Sequence, residues 1–256
     1  MTTSVFAHVP FQLLEQNIDF IIEKRINPEI YFSGEALDAL VPEAVGAIAG
    51  VMSQHGVHCT IHSPFVDLNP GSAEPLVREA TMRRFAQVLD AASILKPQVM
   101  VFHPGYDRWR YGDSQDTWLK HSIDSWQTVI ERIRSIGCTV AIENIFEEEP
   151  STLRSLLDAI DSPQVRHCFD IGHFNLFSKV TMEEWFAEMG SYIAETHVHD
   201  NFGKKDDHLP LGDGQIDFDR FFSLMEKYAP QAVYTIEAHC QKDVLRALAR
   251  LKDRLR

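Results

Sequence analysis

Six short runs of this chain share a construction that few folds accommodate, an apolar, strand-like stretch that closes on a histidine or a carboxylate. They are VHCTIH ending at His62, VMVFH at His103, VAIE at Glu143, RHCFD at Asp170, ETHVH at His197 and His199, and VYTIE at Glu237. An unpaired charge buried at the end of an apolar strand costs several kcal/mol. Six repeats of that cost imply one shared compensation, and a metal site contacted from six strands supplies it.

Strand-like and helical runs alternate along the whole chain. SVFAHV precedes an expected helix over roughly residues 11–25. EIYFS precedes one over roughly 42–55 that stops at Gly56. VHCTIH leads to a helix within 73–95, where Leu76, Phe85, Val88, Leu89 and Ala92 recur mostly at three- and four-residue spacing. QVMVFH continues through the loop PGYDRWRYGDS to a helix near 114–135. There Trp118, Ile123, Trp126, Ile130 and Ile133 form the apolar stripe and Gly137 the stop. CTVAIE precedes a helix from Ser151, with Ser-Thr after Pro150 as the expected N-cap. RHCFD, a helix from Thr181, IAETHVH, a helix from about Asp217 to Tyr228, VYTIE and a helix over about 241–255 complete the series.

Eight strand-helix units in 256 residues match the number and size of a (β/α)8 TIM barrel, a single α/β domain over residues 1–256. Unbroken apolar strands fit a parallel sheet covered on both sides. An open doubly wound sheet is the other architecture with this order, but no GxGxxG follows the first strand. In a barrel every parallel strand points the same way, so the six strand-ending residues converge on one mouth.

The surface balance, 24 basic against 37 acidic residues for a net charge of −13, disfavours non-specific binding to nucleic acid or membranes, although a local basic patch can coexist with it. No apolar run approaches the roughly 18 residues of a membrane span, and MTTSVFAHVPF lacks a signal peptide's charged start and cleavage site. The expected location is cytoplasmic. Cys59, Cys138, Cys168 and Cys240 fall in or beside strand-like runs without CxxC spacing, and read as small buried hydrophobes in a reducing compartment.

Imidazoles mixed with carboxylates suit Zn²⁺, Mn²⁺, Co²⁺ or Fe²⁺, with Mg²⁺ as a harder option, and the ligand count allows one to three ions. Glu143 could bridge a pair. Any one of these histidines could be a core imidazole bonded to backbone; six histidines and carboxylates at one topological position are not explained that way. Asp170 and His173 share FDIGH, where Gly172 permits a tight turn, and the loop FGKKDDHLPLGDG carries Asp206, Asp207 and His208.

The runs IHSPF, FHPG, IEN, FDIGH, HVHDN, DDHLPLGDG and IEAH, in this order over residues 57–240, resemble the xylose isomerase-like TIM barrel superfamily. That superfamily contains sugar isomerases and epimerases, inosose-type dehydratases and the endonuclease IV type of abasic-site nuclease. The epimerase resemblance implies one divalent ion held by Glu143, Asp170, His197 and Glu237. The nuclease resemblance implies three zinc ions and adds His62, His103, His173, Asp206 and His208. Under the first, Glu143 and Glu237 move the α-proton of a small sugar or sugar phosphate through a metal-stabilised enediolate. Under the second, a metal-activated hydroxide attacks a phosphodiester of abasic DNA.

The net charge and the unmatched first strands favour the sugar reaction. The aromatic-basic cluster Arg108, Trp109, Arg110 and Tyr111, which could equally be a solvated loop, is the feature that would suit a phosphate or a base. Substrate contacts are expected from His8, Arg108, Trp109 and His199, and selectivity also from Phe11 and Phe146. A homo-oligomer is compatible with all of this.

Overall fold

The computed structural model describes residues 4–255. Eight parallel strands follow one another in sequence order and close into a barrel: β1 Val5–Pro10, β2 Asn27–Tyr31, β3 Thr60–His62, β4 Val99–Phe102, β5 Thr139–Glu143, β6 Val165–Asp170, β7 Ile193–Val198 and β8 Val233–Ile236. Around it run α1 Phe11–Lys24, α2 Gly34–Asp38, α3 Pro42–Gln54, α4 Pro75–Leu95, α5 Arg108–Tyr111, α6 Gln115–Ile136, α7 Ser151–Ile160, α8 Ile171–Phe177, α9 Met182–Met189, α10 Phe218–Tyr228 and α11 Gln241–Arg254. No helix among the described residues is long and apolar enough to cross a membrane.

Side chains alternate between the two faces of a strand, and in a closed barrel one face is the interior. Met100 and Phe102 join the large core between sheet and helices, whereas Val99 and Val101 pack with Ala141 and Cys168 in a separate small cluster, against which Val233 leans. That small cluster is the barrel's apolar floor. Two residues further along the same face, the series Val101, Ala141, Cys168 and Thr235 becomes His103, Glu143, Asp170 and Glu237. On β4, β5 and β6 the period of two therefore carries the strand from an apolar floor to a polar mouth.

The outer core is aromatic where it bears most load. Phe85 of α4, Phe102 of β4 and Trp126 of α6 meet with centroids 4.7 to 5.3 Å apart. Phe169 of β6 packs on Phe186 of α9 at 4.9 Å. Helix α9 starts on a capping box in which Thr181 and Glu184 satisfy each other's backbone N–H groups.

Several local details differ from the sequence reading. Leu76 is 71% exposed, because it occupies the first turn of α4 on the solvent side, and leaves the apolar stripe to Phe85, Val88, Leu89 and Ala92. The helix α7 is not capped by Ser151; the Glu149 carboxylate accepts from the Ser151 N–H at 3.0 Å and from its hydroxyl at 2.5 Å. Part of the loop after β4 is the one-turn helix α5, started by the Asp107 side chain accepting from Trp109 N–H. Cys59, Cys138 and Cys168 are buried, but Cys240 is exposed, since it precedes α11 on the surface.

The long connection from β7 to α10 is gathered from within by one buried carboxylate. Asp200, fully buried, accepts from the backbone N–H groups of Asn201, Gly212, Gly214 and Ile216 at 2.8 to 3.2 Å. Its own backbone exchanges two bonds with Leu209. Asp200→Ala would leave these donors unpaired, at ~1–3 kcal/mol for each that stays buried. We expect a loss of about 3–5 kcal/mol in urea unfolding and new proteolytic cleavage within residues 203–215; cleavage resistance equal to wild type would refute the anchoring role.

Candidate metal centre

The barrel brings all nine ligand candidates to its mouth, with Glu143 in the middle. Its Oε2 lies 3.4 Å from His62 Nε2 and 3.2 Å from His103 Nε2. Its Oε1 lies 3.1 Å from His173 Nδ1 and 3.4 Å from His197 Nδ1. His197 Nδ1 is in turn 3.7 Å from Asp170 Oδ2 and 3.4 Å from Glu237 Oε1. The third group hangs on Asp206 Oδ2, which is 2.9 Å from His208 Nε2 and 3.4 Å from His173 Nε2.

Asp206 Oδ2 and His208 Nε2 are hydrogen-bonded, but several other polar atoms of the cluster have no such partner. Glu143 Oε2, His197 Nδ1, His199 Nδ1 and Asp206 Oδ1 are buried with no hydrogen-bond partner. Buried polar atoms are nearly always paired. Donor atoms that crowd together without bonding one another fit a cation among them, and His62, Glu143 and His197, or Glu143, Asp170 and His173, offer atoms within 4.8 Å of each other. Mixed nitrogen and oxygen donors suit Zn²⁺ or Mn²⁺.

Local structure explains each placement. Asp170 ends β6 and also caps α8, its Oδ1 accepting from His173 N–H at 2.6 Å. One turn of helix thus puts His173 beside Asp170. Asn144 clamps the same point, exchanging two 2.9 Å bonds with the Asp170 backbone. Gly172 sits inside α8 rather than in a tight turn, and its hydrogen is needed for contact: a Cβ there would lie 2.0 Å from His199 Cε1. His208 adopts φ 48°, a left-handed conformation unusual for a residue with a side chain, and the Asp200–Leu209 bridge next to it holds that strain.

The expected substrate contacts are placed differently from one another. His8 lines a cavity of about 1,100 Å³ in front of the centre. Arg108 turns away to Glu148 and stacks on Trp109, which is 85% exposed; Arg110 faces the cavity instead. His199 is fully buried behind Asp170, its Nε2 3.1 Å from Asp170 Oδ2 and its ring stacked on His208 at 4.2 Å. Phe146 borders the cavity, while Phe11 stacks on Phe32 at 4.7 Å.

Two buried carboxylates of the barrel lie mid-strand, outside the strand-ending pattern. Glu29, mid-β2, lies with its Oε1 3.1 Å from His197 Nε2. Glu195, mid-β7, accepts from the Thr235 hydroxyl. The signal was present as a glutamate inside each of the apolar runs EIYF and IAETHV. Burial pushes the Glu195 carboxyl up to about 8, so it is protonated at neutral pH. Burial also opposes the charge on Glu29 and Glu143, but neighbouring imidazoles, His197 foremost, hold both below the ordinary range.

The family model of the xylose isomerase-like TIM barrel matches residues 29–255. The chain belongs to that family. It is 27% identical over 228 residues to the uncharacterized protein MJ1311 of Methanocaldococcus jannaschii, covering 86% of this chain and 78% of that one. A D-tagatose 3-epimerase-like protein superposes with a TM-score of 0.84 at 24% identity, over 100% of this chain and 97% of that one. The TTHB071 protein from Thermus thermophilus, whose crystal was soaked with ZnCl2, gives 0.81 at 24% identity over 98% and 97%.

Two outcomes follow. Burial disfavours protonated His173 and His197, yet nearby acids, Asp170 for His173 and Glu29 and Glu237 among those facing His197, raise both well above the ordinary range. A cation must displace those protons, so metal affinity should fall as pH is lowered, by about tenfold per unit for each proton displaced. Competition titrations at pH 6 and pH 8 with equal affinities would contradict this. Separately, burial pushes the Glu147 carboxyl from 4.5 to about 7. The unfolded chain releases that proton near 4.5 and the folded chain holds it longer, so stability declines as pH rises through this window, by on the order of 3 kcal/mol. Glu147→Gln should flatten the decline in urea unfolding of the metal-free protein between pH 5 and 8; an unchanged slope would exclude Glu147 as its source.

Proposed function

We propose that this barrel is a divalent-metal-dependent isomerase or epimerase of a small sugar. The observation that carries the reading is the pair Glu143 and Glu237, each 3.4 Å from the same nitrogen, His197 Nδ1, at the inner end of the cavity. Two carboxylates facing one point can exchange a proton at a carbon placed there, one removing it and the other returning it to the same or the neighbouring carbon. Asp170 and His197 complete the set that would hold the cation, which would supply charge stabilisation to the substrate's carbonyl and hydroxyl oxygens. His62 and His103, at the other oxygen of Glu143, are placed to contact further hydroxyl groups. The D-tagatose 3-epimerase-like neighbour supports the same direction.

A second reading, metal-assisted phosphodiester hydrolysis, is favoured by the five additional ligands and by Glu143, whose two oxygens face separate imidazole pairs as a bridge between cations would. The cavity wall speaks for the first reading. Among the described residues lining it, Arg110 is the one arginine or lysine, and Asp67, Glu74 and Asp107 line the same outer part. A polyanion entering there would meet more carboxylates than cations.

The readings separate on one pair of variants. Glu143→Gln and Glu237→Gln should each lower solvent-deuterium incorporation at the carbon beside a ketose carbonyl by about 10²–10⁴-fold. Exchange persisting in both variants would refute the two-carboxylate scheme. Wild-type cleavage of an abasic oligonucleotide far above background, with three tightly held zinc ions per chain, would establish the hydrolase in its place.

A further inference from the structure

Glu29 occupies the middle of β2, beside His8 of β1 and Thr60 of β3 in the ladder, with no exposed surface. It is outside the strand-ending set, and none of the reaction steps above uses it. Both of its oxygens meet imidazoles. Oε1 is 3.1 Å from His197 Nε2, and Oε2 is 3.3 Å from His8 Nδ1. The opposite nitrogens of the two rings face different things. His197 Nδ1 is the unpartnered atom shared by Glu143, Asp170 and Glu237. His8 lines the cavity, and its Nε2 makes no bond within the described protein.

A neutral imidazole carries one proton, so a carboxylate that accepts from one nitrogen leaves the other as a lone pair. We propose that Glu29 is a positioning residue that fixes two histidines in opposite tautomers: His197 protonated on Nε2, with Nδ1 free for the metal, and His8 protonated on Nδ1, with Nε2 free to accept from a substrate hydroxyl. One buried carboxylate thereby orients a ligand of the cation and a wall of the cavity together. A shift of β2 relative to β1 and β7 would disturb both. The assignment concerns ring orientation, so it holds whichever reaction the centre performs.

A carboxylate that accepts from the far nitrogen of a metal-bound histidine typically contributes roughly 10- to 100-fold in metal affinity. The direct test is long-range ¹H–¹⁵N spectroscopy of the wild-type protein loaded with zinc at pH 8, with resonances assigned through His8→Asn and His197→Asn. His197 should show a metallated Nδ1 and protonated Nε2, and His8 a protonated Nδ1. A His8 proton on Nε2, or zinc on His197 Nε2, would overturn the proposal without any change to Glu29. Wild-type protein that binds no zinc would overturn the His197 half together with the metal reading.

In Glu29→Gln, zinc affinity measured by chelator competition should fall roughly 10- to 100-fold. The new amide NH2 should face His8 and move its proton to Nε2. Glu29→Asp, which keeps two acceptor oxygens, should restore the wild-type tautomers. Glu29→Gln with wild-type affinity and an unmoved His8 proton would overturn the inference. Loss of turnover with these readouts intact would count against the proposed reaction alone.

Discussion

The mouth of this barrel rests on one carboxylate placed between four imidazoles. Glu143 is 1% exposed, and a lone buried carboxylate there would be strongly destabilising. His62 and His103 on one oxygen, and His173 and His197 on the other, supply the compensation. His173 is compensated in turn by Asp170 and Asp206, and His197 by Glu29 and Glu237. Without a cation, protonated His173 and His197, whose acid neighbours hold them above the ordinary range, fill its electrostatic role, while burial pushes His103 the other way. A bound cation would have to displace those protons from the same set of nitrogens.

Rigidity reaches this point by two routes. Five of the nine candidate ligands, His62, Glu143, Asp170, His103 and Glu237, end strands or directly follow them, and the ladder fixes their spacing. His197 lies within β7, held from below by Glu29. Asp206 and His208 have no ladder, and depend on the buried carboxylate of Asp200 gathering four backbone donors from their loop. The side of the centre containing Asp206 and His208 is therefore an attachment to the barrel, while the Glu143 side is part of it.

The fold was legible because strand period and helix period alternate so regularly, and because polar residues recur at the same end of each strand. That pattern located His62, His103, Glu143, Asp170, His197 and Glu237 together. Glu29 and Glu195 escaped notice for a physical reason: a carboxylate mid-strand looks like an outward-facing surface residue unless the closure of the barrel is known. Arg108 and Trp109 illustrate the opposite failure. Their residue types suit a ligand, but the one-turn helix α5 points them outward and gives the cavity Arg110. Side-chain direction in a loop is set by caps and turns that composition does not encode.

The candidate ligands outnumber those that one cation needs, and the additional histidines have a packing role of their own. His103 stacks on Phe65 at 4.2 Å, and His62 meets Tyr31 and Phe65 edge-on at 5.7 and 5.4 Å. Elsewhere in the mouth, His208 stacks on His199 at 4.2 Å and meets His239 at a tilt, 4.8 Å away. The extra histidines are thus packed as aromatic walls on both sides of the acids, with polar edges turned inward. Flat rings with polar edges suit a polyol, whose C–H faces lie against rings while its hydroxyls find nitrogen acceptors and donors. A single cation at Glu143, Asp170, His197 and Glu237 would leave those walls to the substrate. Occupation of all nine positions would convert the same walls into ligands, and the cavity would lose its ring-lined polar surface. Metal number and substrate class are for this reason one question, decided by whether His62, His103 and His208 bind a cation or a hydroxyl.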